Sequence, residues 1–413
     1  MSAPANKPYA ALAIRDFRLF ISARTCITLA IQIQATIVGW QVYEITKDPL
    51  SLGLIGLAEA LPAISISLYA GHLADVIERK KIIITTIIAL FICSVLLLFF
   101  TLKEGSFLLA DGIFPIYAVI FVSGVARGFL SPANFSFMPQ LISREFYVNA
   151  ITLNSTFWQA AAIMGPMLAG FIYGFVGITF AYALDVILIL FSLFFYFRIK
   201  NRALPPMTME QGVRQKIKAG LKFVYNNEII LGAITLDLFA VLFGGAVALL
   251  PIFAAEILLV GPEGLGLLRS APPAGAILTA LFITHNPIRS GVGKVLLWSV
   301  AGFGICMIGF GLSSFFWLSM VLLAISGAFD SVSVIVRSTL IHTHTPENMK
   351  GRVAAVNSIF IGSSNEIGAF ESGVAAKLLG VVPSVVFGGA MTLVVVAVTG
   401  WKAVKLRTLD KVI

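Results

Sequence analysis

The stretch SGVARGFLSPANFSFMPQLISREFYVNAITLNSTFWQAAAIMGPMLAG occupies Ser123 to Gly170, and the chain returns to it in its second half. SGVAR, Ser123–Arg127, matches SGAFD, Ser326–Asp330. Keeping that register, Asn154-Ser155 falls on Asn357-Ser358, Phe157 on Phe360, Gly165 on Gly368, Gly170 on Gly373 and Gly177 on Gly380. The offset is 203 at each of these positions (326 − 123 = 203, and so on). Several glycines coinciding at one offset without a gap mark a parallel internal repeat. Two looser registers extend it. Gly56-Leu57 with Pro62 falls on Gly266-Leu267 with Pro272, so Glu59 corresponds to Arg269, and a weaker alignment sets Arg24 opposite Asp237. Arg127 corresponds to Asp330. The sign of the charge reverses in every case. On a pseudo-twofold axis such charges would face one another and neutralise.

Everything around the repeat is apolar. The hydrophobic fraction is 58%, against roughly 45–50% for soluble domains. Charged residues make up 12%, about half the usual share. A soluble core cannot absorb that much apolar surface in 413 residues, so the solvent is a bilayer. The 36 Gly agree, because glycine is more frequent in membrane helices than in soluble ones. Cys26, Cys93 and Cys306 are scattered in apolar runs with no metal spacing and read as small hydrophobes. The N-terminus is polar and basic and has no cleavage site, so the first apolar segment is expected to be an uncleaved span.

A spanning helix needs about 20 predominantly apolar residues, and about twelve such runs occur, at ~17–43, ~50–74, ~82–102, ~114–140, ~150–174, ~178–199, ~229–255, ~264–284, ~294–312, ~316–341, ~352–379 and ~383–402. Lys and Arg collect on one side: Arg15 and Arg18, Arg79 to Lys81, the cluster from Arg198 to Lys222, Lys350 and Arg352, and Lys402 to Lys411. The other side has little beyond Lys47, Lys103 and Lys377. The basic side is cytoplasmic, and an even number of spans puts both termini there. The net charge of +9 is thus a topology signal and an attraction to anionic lipid rather than a nucleic-acid footprint. Residues 1–200 form one six-span half and 229–413 the other. Between them, 201–228 is a polar linker in which Val213, Ile217, Leu221 and Val224 recur at helical spacing. It is expected to be an amphipathic helix on the cytoplasmic leaflet. The fold class is all-α: twelve transmembrane helices in two pseudo-symmetric halves.

The loop after the second span, GHLADVIERKK, Gly71–Lys81, resembles the major facilitator signature G-x-L-A-D-R-x-G-R-[KR]. Gly71, Leu73, Ala74, Asp75, Arg79 and Lys80 match, while Val76 and Glu78 replace the usual Arg and Gly. The resemblance implies a cytoplasmic gate of Gly71, Asp75, Arg79 and Lys80, with the Asp docking near the start of the eleventh span. The segments Gly39–Ala63, Val125–Gly170 and Asp330–Gly380 resemble the drug:H⁺ antiporter-3 branch, and within it the enterobactin-exporter-like group of bacterial siderophore exporters. The likeness covers nearly the whole chain. It implies a multi-pass protein of the bacterial inner membrane that exports small molecules against protons. The branch also contains macrolide and multidrug exporters.

An ionisable group inside a span is costly and is read as functional by default. Glu59, Asp330, Glu366 and Glu371 are the candidates for carrying the coupling proton. Arg24, Gln34, Trp40, Arg127, Asn154, Trp158, Asp237, Arg337 and Asn365 are candidates for lining a substrate cavity between the halves. Several carry a second reading. Arg24 could snorkel, and Asp330 and Arg337, two turns apart on one helical face, could tie the tenth span to a neighbour. Asp185 reads as structural. In SSNEIGAFESG, Ser363–Gly373, Glu366 shares a side with Ala369 and Gly373, and Glu371 with Ser364, Gly368 and Ser372. Both acids are absent from the first-half counterpart, Gln159–Gly170, and Glu371 is the preferred proton carrier.

No Walker motif, nucleophile elbow or metal signature is present, so the chain is expected to be neither an enzyme nor an ATP-driven pump, with no cofactor and no metal. The expected partners are a small-molecule substrate, protons and lipid, with the protein acting as a monomer. A buried mixture of Arg and acids would suit an anionic or zwitterionic amphiphile such as a siderophore. Multidrug or macrolide efflux is the alternative on the same chemistry; a lipid flippase, a solute importer or a transport-dead sensor is the alternative of another class.

Overall fold

The computed structural model describes residues 9–102, 112–201, 213–288, 290–346 and 349–410. Among them every regular element is helical. In the first half run α1 (Arg15–Thr46), α2 (Pro49–Val76), α3 (Arg79–Leu102), α4 (Phe114–Leu141), α5 (Tyr147–Val176) and α6 (Ile178–Arg198). The linker supplies α7 (Val213–Asn226). The second half holds α8 (Glu228–Phe243), α9 (Gly261–His285), α10 (Val292–Leu312), α11 (Phe316–His344), α12 (Lys350–Leu379) and α13 (Val381–Lys402). Eleven of the described helical segments are long and apolar enough to cross a bilayer. The run expected at 352–379 is a helix of 30 residues, α12. Its charged residues, Glu366 and Glu371 among them, keep it below that apolarity.

Local chemistry explains the joints. α5 passes into α6 through Gly177 at φ 107°, and α12 into α13 through Gly380 at φ 95°. Both backbones lie where side chains other than glycine are strained. These two glycines are counterparts in the repeat, so the repeat extends to the turns. Asn227 caps α8, its side chain accepting from the Ile230 N–H at 3.1 Å. The apolar run expected at 229–255 is not one helix. It breaks at Gly244-Gly245, continues as a 3₁₀ turn (Ala246–Leu249), and closes in a π-type turn (Phe253–Ile257). Glycine at the break allows backbone contact: a Cβ on Gly245 would lie 3.1 Å from both Gly368 O and Ser372 Oγ.

The chain divides into two compact units. One comprises residues 1–45 and 58–209, the other 46–57 and 210–413. Within the first, α3 packs on α4 and α6, over a core of Phe17, Phe20, Ile83, Phe137 and Tyr196. Phe20 meets Phe137 and Tyr196 edge-on, at ring centroid separations of 6.1 and 6.2 Å. Within the second, α10 packs on α11 and α13, over Leu236, Leu296, Val300, Val336 and Leu340. The third span packing on the fourth and sixth is matched by the ninth packing on the tenth and twelfth. Phe191, Phe194 and Phe197 on α6 point outward and are exposed, as lipid-facing residues should be when the solvent is hydrocarbon.

The linker helix forms where it is expected. The C-terminal part of the apolar side of α7, at Val224, rests on protein. Val224 is buried with Ile230, Ile234, Ile341, Val353 and Val356. Gly220 makes this possible, since a Cβ there would stand 2.7 Å from Arg352 O. Leu221 remains exposed. The Val213 and Ile217 side chains lie outside those described.

Candidate functional site

In the first unit the polar residues converge on α2 and α4. Gly124 brings the two helices together; a Cβ there would lie 2.4 Å from Glu59 O and 2.9 Å from Pro62 Cγ. One turn further on, Arg127 forms an ion pair with Glu59. Its Nη2 donates to Gln34 Oε1 at 3.0 Å, and Gln34 Nε2 donates to Ser94 Oγ at 3.2 Å. Four helices, α1 to α4, are thus joined by Glu59, Arg127, Gln34 and Ser94. The Arg127 and Glu59 side chains keep 18% and 23% of their exposure, so the pair is half-buried and reachable by a small solute. Ser94 was not singled out by sequence reading. Its only signal was a hydroxyl inside FICSVLLL.

The second unit repeats the scaffold and changes the charges. Gly327 abuts Pro272 as Gly124 abuts Pro62. The ion pair, however, joins Arg337 of α11 to Asp237 of α8. Both are buried, 3% and 6% exposed. Arg337 therefore ties the tenth span to a neighbour, while Asp330 does not. Asp330 has no hydrogen bond or ion pair among the described residues and borders a small cleft with Asp237, Ser299 and Ser333. The ion pairs Glu59–Arg127 and Asp237–Arg337 are each made inside one unit.

On α12 the two sides foreseen in SSNEIGAFESG do different work. Ala369 and Gly373 receive the first turns of α2: a Cβ on Gly56 would lie 2.8 Å from Ala369 Cβ, and one on Gly373 2.7 Å from Gly53 Cα. Glu366 lies beside Gly56 on that face. Gly368 and Ser372 pack on the broken end of α8. Glu371 is partly buried and has no ion pair or hydrogen bond among the described residues. Asn365 is exposed and donates only to Ile361 O, at 3.1 Å. Near the helix end Lys377 Nζ reaches Asp48 Oδ1 at 2.9 Å.

The remaining candidates are dispersed. The Arg24 side chain is half-buried with no hydrogen bond or ion pair among the described residues, while its carbonyl accepts from Thr28 Oγ1 at 2.8 Å. Trp40 packs edge-on against Tyr173, 6.4 Å between centroids, and the Tyr173 hydroxyl donates to Glu44 at 2.6 Å. Trp158 is exposed, and Asn154 Oδ1 is buried without a partner among the described residues. Asp185 is fully buried beside Ser94 of the Arg127–Gln34 network. At the signature loop, Arg79 Nη1 donates to Ser136 O at 3.1 Å, and Lys80 Nζ to Asn201 Oδ1 at 2.9 Å and to Ile199 O. Arg79 thus reaches the last turns of α4, and Lys80 the C-terminal end of α6, where free carbonyls and the helix dipole attract positive charge. The gate side chains of Gly71 and Asp75 lie outside those described.

Comparison with known proteins agrees with this architecture. The family model described as transmembrane secretion effector matches residues 6–412. The enterobactin exporter EntS of Shigella boydii is 25% identical over 344 residues, covering 82% of this chain and 79% of that protein. The enterobactin exporter EntS of Citrobacter koseri is 24% identical over 386 residues, covering 92% and 89%. Among solved structures, a bacterial homologue of the iron transporter ferroportin in an inward-facing state superposes with a TM-score of 0.71 at 14% identity, covering 95% of this chain and 99% of that one. A D-xylose–proton symporter gives a TM-score of 0.72 at 14% identity, covering 94% and 97%. The repeat, the helices and the family match together place the chain in the transmembrane secretion effector family of major facilitator transporters.

Proposed function

We propose that this transporter exports a small amphiphilic molecule of the siderophore class across the bacterial inner membrane, by alternating access in exchange for protons. The observation that carries the export reading is the likeness to enterobactin exporters over most of both chains. The buried arginines suit an anionic or zwitterionic ligand. Of the four carboxylates considered for the proton, Glu59 is held by Arg127 and Glu366 has an interaction of its own. Glu371 and Asp330 have none among the described residues. A proton exchanges most readily at a carboxylate that no cation holds, which favours Glu371 and Asp330 as carriers. Both termini lie in the cytoplasm in this reading.

The test is uptake of enterobactin into inverted membrane vesicles holding the protein. The expected result is accumulation under an acid-inside gradient, abolished by a protonophore and reduced at least about tenfold in Glu371→Gln, the loss that about 1.4 kcal/mol represents. Accumulation of a macrolide with no accumulation of enterobactin would move the substrate to the drug class. Accumulation of neither, with folded protein present, would overturn the export reading.

A further inference from the structure

We propose that the cleft within the second unit binds one small monovalent alkali cation. The cleft lies where α8, α10 and α11 meet, with Asp237, Ser299, Asp330 and Ser333 as its polar lining and Phe303 and Phe329 among its apolar walls. It has space for about one water-sized guest. Every polar side chain facing it offers oxygen, the donor that hard cations take.

Three observations point to an occupant. Ser333 is 2% exposed and lines the cleft, and its hydroxyl has no hydrogen-bond partner among the described residues. A native structure rarely leaves a buried hydroxyl so. Ser299 Oγ donates its proton to Val295 O at 2.7 Å, which leaves its lone pairs for an ion. Asp330 borders the cleft with no ionic partner among the described residues.

Charge then selects the valence. Asp237 and Asp330 bring two negative charges, and Arg337, paired with Asp237, brings one positive. Arg269, on the neighbouring α9, has an interaction of its own. One monovalent ion neutralises the remainder, whereas a divalent ion would leave an uncompensated positive charge in a low-dielectric site. The proposal goes beyond the role given above to Asp330: a cation and a proton would occupy that carboxylate in turn, each displacing the other. Binding is read without transport, so a failure of export and a failure of cation binding are distinguishable.

The experiment is thermal unfolding of the purified full chain in detergent, at fixed pH and ionic strength, in sodium, potassium or choline chloride. Choline is too large for the cleft. Sodium or potassium is expected to raise the midpoint by about 2–4 °C over choline. Asp330→Asn removes the increment, and Ser333→Ala raises the half-saturating concentration roughly tenfold, the ratio that about 1.4 kcal/mol represents. If Asp330→Asn fails to fold, Ser333→Ala and Ser299→Ala decide by the same shift. Equal midpoints in the three salts would overturn the proposal. So would an increment unchanged in either Asp330→Asn or Ser333→Ala.

Discussion

Gly373 and Gly53 touch backbone to backbone: a Cβ on Gly373 would stand 2.7 Å from Gly53 Cα and 3.1 Å from Pro49 O. The atoms it would strike belong to backbone and cannot swing aside. Gly373→Ala is therefore expected to destabilise the second unit by about 1–3 kcal/mol, as overpacking does. Gly362, on the same helix, has open space where its Cβ would go. Gly362→Ala is expected to be neutral or stabilising by up to about 1 kcal/mol, the helix-propensity gain. Thermal unfolding in detergent separates the two. Equal behaviour would show that the Gly53 contact does not limit stability.

The Asp237–Arg337 pair is buried on both sides. Removing one partner leaves a bare charge in a dry site, at a cost of about 3–5 kcal/mol. Asp237→Asn and Arg337→Gln are each expected to lower folded yield sharply. The double variant should recover part of the loss, because no uncompensated charge remains. A double-mutant cycle on unfolding midpoints measures this coupling, and additive losses would exclude it.

Arg127 holds two acceptors, Glu59 and Gln34, on two different helices. A guanidinium can do this with separate nitrogens, whereas an ammonium is a single point charge. Arg127→Lys is expected to fold with a modest loss of stability, about 1 kcal/mol for a partly exposed pair, and to lose most export. Vesicle uptake measured against folded protein reads the difference. Wild-type uptake would assign the cluster to scaffolding.

Gly177 and Gly380 make the same turn in the two halves, both at positive φ. Gly177 has nothing within 4 Å of where its Cβ would go, so the cost of Gly177→Ala is backbone strain alone, about 1–3 kcal/mol. Gly380→Ala should cost a similar amount, since its nearest neighbour is Pro383 Cδ at an ordinary 3.6 Å. Unequal losses would mean that the two turns are not equivalent.

α7 is docked by Val224 and by the close approach of Gly220 to Arg352. Val224→Asp puts a charge into an apolar contact and is expected to release the linker. Limited trypsin digestion, followed at the Lys216–Lys222 segment, should then be several-fold faster than in wild type. Unchanged cleavage would place the apolar side of α7 in lipid.

Much of this molecule is local chemistry, and local chemistry is legible in a sequence. Burial in lipid demands long apolar runs with their backbone satisfied internally, so the spans and the two halves follow from composition and the 203-residue offset. The repeated glycines follow as well. Gly124 and Gly327, and Gly177 and Gly380, stand at equivalent contacts and turns because close approach and positive φ exclude other residues. The two sides of α12 were readable from helical periodicity alone.

Partner choice was not readable in this way. Glu59, Arg127, Asp237, Asp330 and Arg337 all stand out as charges in apolar runs. Which of them meet depends on the rotation and approach of packed helices, and those are set by side chains far apart in sequence. Only the tertiary structure pairs Arg127 with Glu59 and Gln34, gives Arg337 to Asp237, and leaves Asp330 bordering a cleft with a Ser333 that has no partner among the described residues. It also breaks the seventh apolar run at Gly244-Gly245 and buries Val224 of α7 against Ile230, Ile341 and Val353. A hydrophobic run records that a segment is buried, but not what it is buried against.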